Sequence, residues 1–251
     1  MRHIATRGPL RATTGALGVR IEPGASFDEA LTVVRDGRAR GLSPIGLVTA
    51  AAPAPAALAA AREAGASELA LPLHGARAEV HDWHAHAGAF DETLRAIAAA
   101  KTLGFAIAVT TTVTRSNARV LSEMPTLLKA SGVALWVLEL PDRGEPTFTN
   151  VVPRLALGVP PALAAVARAR DLGLDVGLVG FPECVLGPFA AFALPAPGRA
   201  YAERCEGCAA RTVCPGVAAP YLARFGDGEL RRLAERGTRA PAPPLASLVT
   251  R

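Results

Sequence analysis

Val133-Ala134-Leu135-Trp136-Val137-Leu138-Glu139-Leu140 is an apolar run of strand length, bounded by Gly132 and Pro141. It does not alternate polar with apolar, so both of its faces are buried, as in a parallel sheet covered by helices. The same pattern recurs outward from it. Phe105 to Thr112, Glu68 to Leu73 and Ile45 to Thr49 precede it, with a shorter strand at Leu17 to Ile21, and Leu174 to Gly180 follows. Helical spacing fills the gaps. Phe27, Ala30, Leu31 and Val34 share one face of a helix over 27–40, with Ser26 as its cap and Glu29 closing a capping box. Pro53 and Pro55 open a helix that Gly65 stops, and Phe90, Leu94, Ile97 and Lys101 mark another over 89–103. A further helical pattern runs from Asn117 to Ala130 with a break at Pro125, and Pro160-Pro161 open a helix through Leu172. Strands and helices in alternation imply right-handed βαβ units that curl into a barrel. With about six strands the barrel cannot close. The expected fold is therefore α/β: a partial (β/α) barrel of mostly parallel strands with a C-terminal cysteine-rich extension, a doubly wound sheet being the competitor.

The expected division is a loose lead-in over 1–15, the partial barrel over 16–180, a cysteine-rich region over 181–236 and a tail over 237–251. A short helix around Val217 to Arg224 and a charged helix over Asp227 to Arg236 belong to the third part, and Ala240 to Arg251 read as frayed. The chain has 251 residues, half of them hydrophobic, enough for a sizeable core. Its formal net charge of +5 is carried almost wholly by scattered arginines. There is no dense basic run, which argues against a nucleic-acid partner. The N-terminus lacks the apolar core of a signal peptide, and the most apolar window, Val176 to Gly198, is broken by prolines, so no membrane span is expected. A cytoplasmic location follows, where clustered cysteines serve more often as ligands than as disulfides.

All four cysteines lie between Cys184 and Cys214. Cys205-Glu206-Gly207-Cys208 with Cys214 beyond it can wrap three thiolates around one centre, and Cys184 is the natural fourth ligand. Four thiolates suit either a tetrahedral zinc or an iron–sulfur cluster. Elsewhere, polar residues gather where a barrel puts ligands, at the C-terminal ends of strands: Thr49, His74, Thr111, Thr112, Thr114, Arg115, Asn117 and Glu139. His81, His84 and His86 could converge on a metal, but the segment from Gly75 to Gly88 reads as a substrate-facing loop. His81-Asp82 is its fixed point and Trp83 its packing anchor. Glycine-rich phosphate loops are absent from the sequence.

Leu71-Pro72-Leu73-His74-Gly75, His81-Asp82 and Gly88 to Leu94 resemble the fourth βα unit of radical S-adenosylmethionine (radical SAM) proteins. Val109 to Asn117 is similar to their fifth strand and its polar turn, and Val133 to Pro141 to their sixth. The cysteine spacing resembles the auxiliary-cluster (SPASM or twitch) regions appended to many members. The resemblance spans roughly residues 16–225. It implies a TIM-barrel-derived fold and one 4Fe-4S cluster on Cys184, Cys205, Cys208 and Cys214, with zinc as the alternative metal. Thr112, Arg115 and Asn117 become candidates for cofactor binding, and His74, His81, Asp82 and Glu139 for facing a substrate.

The family's defining C-x3-C-x2-C motif has no counterpart, since no cysteine precedes Cys184, and the Gly-Gly-Glu-Pro turn survives at best as Glu22-Pro23-Gly24-Ala25. S-adenosylmethionine is therefore left without a cluster to cleave it. Three readings remain open. One is a degenerate radical SAM-like protein, acting as a binding or electron-transfer partner for a peptide or an intact homologue. The second is an active enzyme whose start is missing. The third is a zinc-stabilised binding module.

Overall fold

The computed structural model describes residues 16–22, 24–141, 151–196 and 198–250, with the backbone of His3 and Ile4. One sheet holds β1 (His3–Ile4), β2 (Leu17–Ile21), β3 (Ile45–Thr49), β4 (Glu68–Pro72), β5 (Ala106–Thr112), β6 (Leu135–Glu139) and β7 (Asp175–Val179), in that spatial order. Every neighbouring pair is parallel. The order never reverses, so the doubly wound alternative is excluded and the architecture is an α/β partial barrel. Two residues of the expected lead-in form β1; the rest of that segment lies outside the described residues.

The helices are α1 (Phe27–Ala39), α2 (Pro55–Ala64), α3 (Ala78–His84), α4 (Ala89–Thr102), α5 (Met124–Ser131), α6 (Leu155–Asp171), α7 (Ala219–Phe225) and α8 (Ala246–Val249). Right-handed crossovers that always step the same way leave the connecting helices on one face of a sheet. Leu47, Leu69, Ile107, Val109 and Trp136 accordingly share a core with Leu31, Leu58, Ile97, Leu128 and Val166 from the helices. The strand residues of opposite parity, Val48, Ala70, Ala108, Leu135 and Val137, form a second, separate cluster on the concave face.

Several local expectations are corrected. Ser26 stands at the N-cap of α1, but its side chain makes no capping bond, so the capping box does not form. Helix α6 begins at Leu155 and carries Pro160 and Pro161 inside it. Its start is held from outside, because Leu155 N–H donates to the Tyr221 hydroxyl (2.9 Å) and Ala156 N–H to Glu229 Oε1 (3.2 Å). These long-range acceptors satisfy first-turn donors that local sequence cannot. The stretch from Gly75 to Gly88 contains α3 rather than being all loop, and residues 227–236 are not helical.

The largest correction concerns the tail. Leu245, Ala246, Leu248 and Val249 are all buried, and they pack into the concave face with Leu194. Small residues make the room. A Cβ on Gly46 would lie 2.4 Å from a Leu248 methyl, and one on Gly177 would lie 2.4 Å from a Leu194 methyl. Among the described residues, no helix is long and apolar enough to cross a membrane.

Leu248→Ala removes a fully buried side chain and should cost about 2–5 kcal/mol of stability, read from the midpoint of urea unfolding. A change within about 0.5 kcal/mol is what a frayed tail would give.

Candidate metal centre and barrel mouth

The C-terminal ends of β4 and β5 are joined by side chains rather than by the ladder alone. Asn117 is completely buried. Its Nδ2 donates to the carbonyls of His74 (3.0 Å) and Thr112 (2.8 Å), while its Oδ1 accepts from Thr114 N–H (2.8 Å). Trp136 Nε1 donates to Thr111 Oγ1 (2.9 Å), which donates in turn to the Leu73 carbonyl (2.6 Å). These contacts fix the rim of the mouth.

The histidines interlock on this rim. His74 N–H donates to His81 Nδ1 (3.0 Å), leaving the His81 proton on Nε2, within 3.2 Å of Thr93 Oγ1. Thr112 N–H points at His74 Nδ1 (3.4 Å), so His74 also carries its proton on Nε2. His84 Nε2 meets Ser116 Oγ (3.0 Å) and Thr114 Oγ1 (3.2 Å). Loss of water, reinforced by the neighbouring His84 and His81, pushes the His74 pKa down to about 3; burial and His81 push that of His84 down to about 4. The rim is therefore a set of neutral imidazoles.

Asp82 accepts from the N–H groups of Phe90 (2.7 Å) and Gly88 (2.8 Å), which cap the start of α4 and hold its carboxyl below the usual range. Trp83 does not anchor this segment by burial: it is 62% exposed, edge-on to His84.

Above α8 the mouth opens into a polar cavity of about 250 Å³, lined by Arg20, Glu22, Thr110, Thr112, His74 and Glu139, with Val249 beside them. Of the residues singled out from sequence, Thr49, His74, Thr112 and Glu139 meet there. His81, Asp82, Arg115 and Asn117 do not line it. His81 and Asp82 are spent on local structure, and Asn117 has both donors and its acceptor engaged within the fold.

The second site is a narrow cavity whose wall includes Cys184, Cys205, Cys208 and Cys214. The four thiols come from three separate segments held together by backbone pairing. Ala200 and Val217 form an antiparallel bridge, with N–H to carbonyl distances of 3.0 Å in both directions. Gly216 (φ +70) permits that closure, since a Cβ there would sit 2.4 Å from the Ala200 carbonyl oxygen. Backbone N–H groups point at sulfur: Glu183 and Gly216 donate to Cys214 Sγ, and Leu233 to Cys208 Sγ, each at 3.4 Å.

The carbonyls of the loops are tied down in turn. Arg231 holds that of Cys184 (2.9 Å), Arg232 that of Gly207 (3.1 Å), Tyr201 that of Cys214 (2.7 Å) and Arg211 that of Cys205 (3.4 Å). Arg211 also lies over the Tyr201 ring, 4.0 Å from its centroid. None of these partners is marked by a motif, because each acts through its side chain from a distant or irregular stretch.

Burial pushes the thiols of Cys184 and Cys214 up, Cys184 further by its cysteine neighbours. A cationic centre would reverse that and favour thiolates. Soft donors, N–H groups aimed at sulfur and low polarity therefore fit a thiolate-bound metal or cluster. Among the described residues, no three His, Cys, Asp or Glu groups are placed as the ligands of a single metal ion. The thiols line a wall rather than meet at a point.

Glu183, next to Cys184, is 3% exposed and ion-paired with Arg239. Burial raises its pKa while Arg239, and then Arg236, lower it. Arg239 also donates to the carbonyls of Ala193 and Val213, so one guanidinium gathers three segments around the cysteines.

Two expectations follow. Gly216→Ala forces a positive φ and a backbone collision, and should cost about 1–3 kcal/mol in thermal unfolding. For the rim, an unfolded imidazole takes a proton near pH 6.5 whereas folded His74 and His84 do not. Their contribution is complete above that pH and is lost as the pH falls toward 4, with a slope of at most about 1.4 kcal/mol per pH unit for each. Urea midpoints between pH 7 and pH 4.5 should decline accordingly, and less steeply in His84→Gln.

No protein-family model matches the chain, and no curated protein matches it in sequence. Solved structures do match in fold. A domain of pyruvate-formate lyase-activating enzyme from Bacteroides vulgatus aligns over 65% of this chain and 98% of its own, with 10% identity and a TM-score of 0.50. Methylornithine synthase aligns over 66% of this chain, with 14% identity and a TM-score of 0.51, and the match spans only half of that enzyme. At these identities the likeness is one of fold: the chain shares the partial-barrel architecture of these two proteins.

Proposed function

We propose that this chain is a radical SAM-like protein that carries one 4Fe-4S cluster on Cys184, Cys205, Cys208 and Cys214. In this reading it serves as a cluster-bearing binding or electron-transfer partner of a peptide or of an intact homologue. The observation that carries the reading is the shared cavity of the four thiols, with three N–H groups directed at two of their sulfurs. The fold likeness to pyruvate-formate lyase-activating enzyme and methylornithine synthase supports the same assignment, as do the motif resemblances at Leu71 to Leu94 and Val109 to Asn117.

A cluster bound here would supply one-electron chemistry, at a potential set by charge, hydrogen bonds to sulfur and exposure. The chain's own residues supply that setting. Arg231, Arg232 and Arg211 add positive charge around the site, and the Glu183, Gly216 and Leu233 amides stabilise sulfur-borne negative charge. Four protein thiolates would leave no iron open for S-adenosylmethionine, so this site is assigned to holding or relaying electrons rather than to cofactor cleavage. The mouth cavity, with His74, Thr112 and Glu139 on its wall, is assigned to the partner or substrate group.

Anaerobic purification with iron, sulfide and zinc assayed beside the visible spectrum tests the assignment. About four irons and four sulfides per chain with a broad brown absorbance are expected. One zinc without colour would replace the redox reading with a structural metal on the same thiolates. Cys208→Ala should abolish metal content and loosen residues 181–225 while leaving the helical signal largely intact. Full metal content in that variant would overturn the four-ligand assignment.

A further inference from the structure

Glu68, the first residue of β4, stands at the end of the sheet away from the His74 mouth. It lies two residues before Ala70 and therefore shares the concave face. The residue is 9% exposed, and among the described residues its carboxyl has no hydrogen bond or ion pair. Its surroundings offer none. Gly46 and Ala106 stand level with it on the adjoining strands, and Leu248 of α8 reaches the same spot. A Cβ on Gly46 would lie 2.4 and 3.0 Å from the two Leu248 methyls and 3.1 Å from Glu68 Oε2. Among the described residues, the other charged strand residues of that face are Arg20 and Glu139, at the mouth, and Asp175, paired with Arg170. Burial alone therefore acts on the Glu68 carboxyl, and it moves the pKa upward.

Helix α8 is held lightly. The last bond before it ties Ala240 N–H to the Ala191 carbonyl (2.9 Å). Pro241, Pro243 and Pro244 follow, without N–H groups to donate. From Pro241 to Val249 the hydrogen bonds stay local: Ala246 N–H to the Pro243 carbonyl (2.9 Å), Leu248 N–H to that of Leu245 (3.1 Å) and Thr250 N–H to that of Ala246 (3.0 Å). Apolar contact is what joins this four-residue helix to the strands, and such an attachment can open separately from the core.

We propose that α8 is a pH-gated plug of the barrel bore, docked while Glu68 is protonated and released more readily once Glu68 ionises. A carboxylate left dry beside Leu248 costs free energy, and it regains water when the leucine moves off. Docked Glu68 keeps its proton to higher pH than released Glu68. Docking is therefore firmest in acid and weakens as the pH climbs through the carboxylate range. The trend is opposite to that of His74 and His84, whose contribution is lost in acid. Release uncovers Val48, Ala70, Ala108, Leu135 and Val137. Because Val249 forms part of the mouth wall, it also extends the mouth cavity into the bore. The gate is independent of what the cysteine site holds.

Hydrogen exchange of the full chain between about pH 5 and pH 8, corrected for intrinsic rates, tests it. Protection of the Leu248 and Thr250 amides is expected to fall across that range while amides of β5 and β6 keep theirs. The loss equals the ratio of the released and docked acid constants of Glu68, about tenfold for each pH unit between them. Glu68→Gln, neutral at every pH and close in shape, should hold protection at its acid value throughout. In Leu248→Ala, the Glu68 carboxyl followed by carbon NMR should titrate at lower pH than in the parent chain. A decline that persists unchanged in Glu68→Gln, or an unmoved Glu68 midpoint in Leu248→Ala, would overturn the gate. Exchange of Leu248 and Thr250 only together with β5 and β6, at every pH, would overturn the plug.

Discussion

An open barrel has a concave face that nothing in the βα repeat covers. A closed barrel fills its bore with side chains from its own strands; a sheet that stops short leaves Val48, Ala70, Ala108, Leu135 and Val137 facing water unless another segment is supplied. Here Leu194, arriving beside β7, and Leu248, arriving from α8, supply it. The glycines at 46 and 177 are the complement of those two leucines, since any larger residue would occupy the volume they fill. The mouth cavity depends on the same packing, because Val249 forms part of its wall. Both candidate sites also hang from the segment that leads there: Arg239 holds the cysteine loops at one end of the stretch that α8 completes.

Much of the scaffold could be read from the chain because the strands from β3 to β7 are continuous apolar runs, and such runs have few other uses in a protein of this size. Helix α1 and helix α4 were equally legible from spacing. What could not be read depends on partners far away in sequence. The start of α6 is an example, since Leu155 and Ala156 find acceptors in Tyr221 and Glu229. Ser26 and Glu29 carry a correct local signal that the fold does not use. Residues 240–251 carry no periodicity, and the burial of Leu245, Ala246, Leu248 and Val249 follows from the shape of a surface made by five strands, which no local pattern reports.

The sites divide in the same way. Four cysteines in one short region were visible as candidate ligands by count and spacing alone, and the structure sets them on the wall of one cavity. Their frame was not visible, because arginines at 211, 231, 232 and 239 act through guanidinium groups on backbone carbonyls, and scattered arginines look alike in a sequence. The histidine cluster divides in a different manner. His81 and Asp82 suggest chemistry by residue type, yet one is a buried acceptor for the His74 amide and the other caps α4. Polar residues that cross-brace strand ends and polar residues that meet ligands draw on the same side chains.

The placement of α8 bears on how the molecule is made. Strands emerge from the ribosome in their spatial order, so each can pair with its predecessor as soon as it appears, and sheet growth need not wait for distant sequence. The cover for the inner face is synthesised after every strand it packs on. Until Leu194 and then residues 245–249 appear, the growing sheet therefore presents an unshielded apolar trough. An incomplete barrel thus carries a hazard during synthesis that the finished, covered sheet does not show.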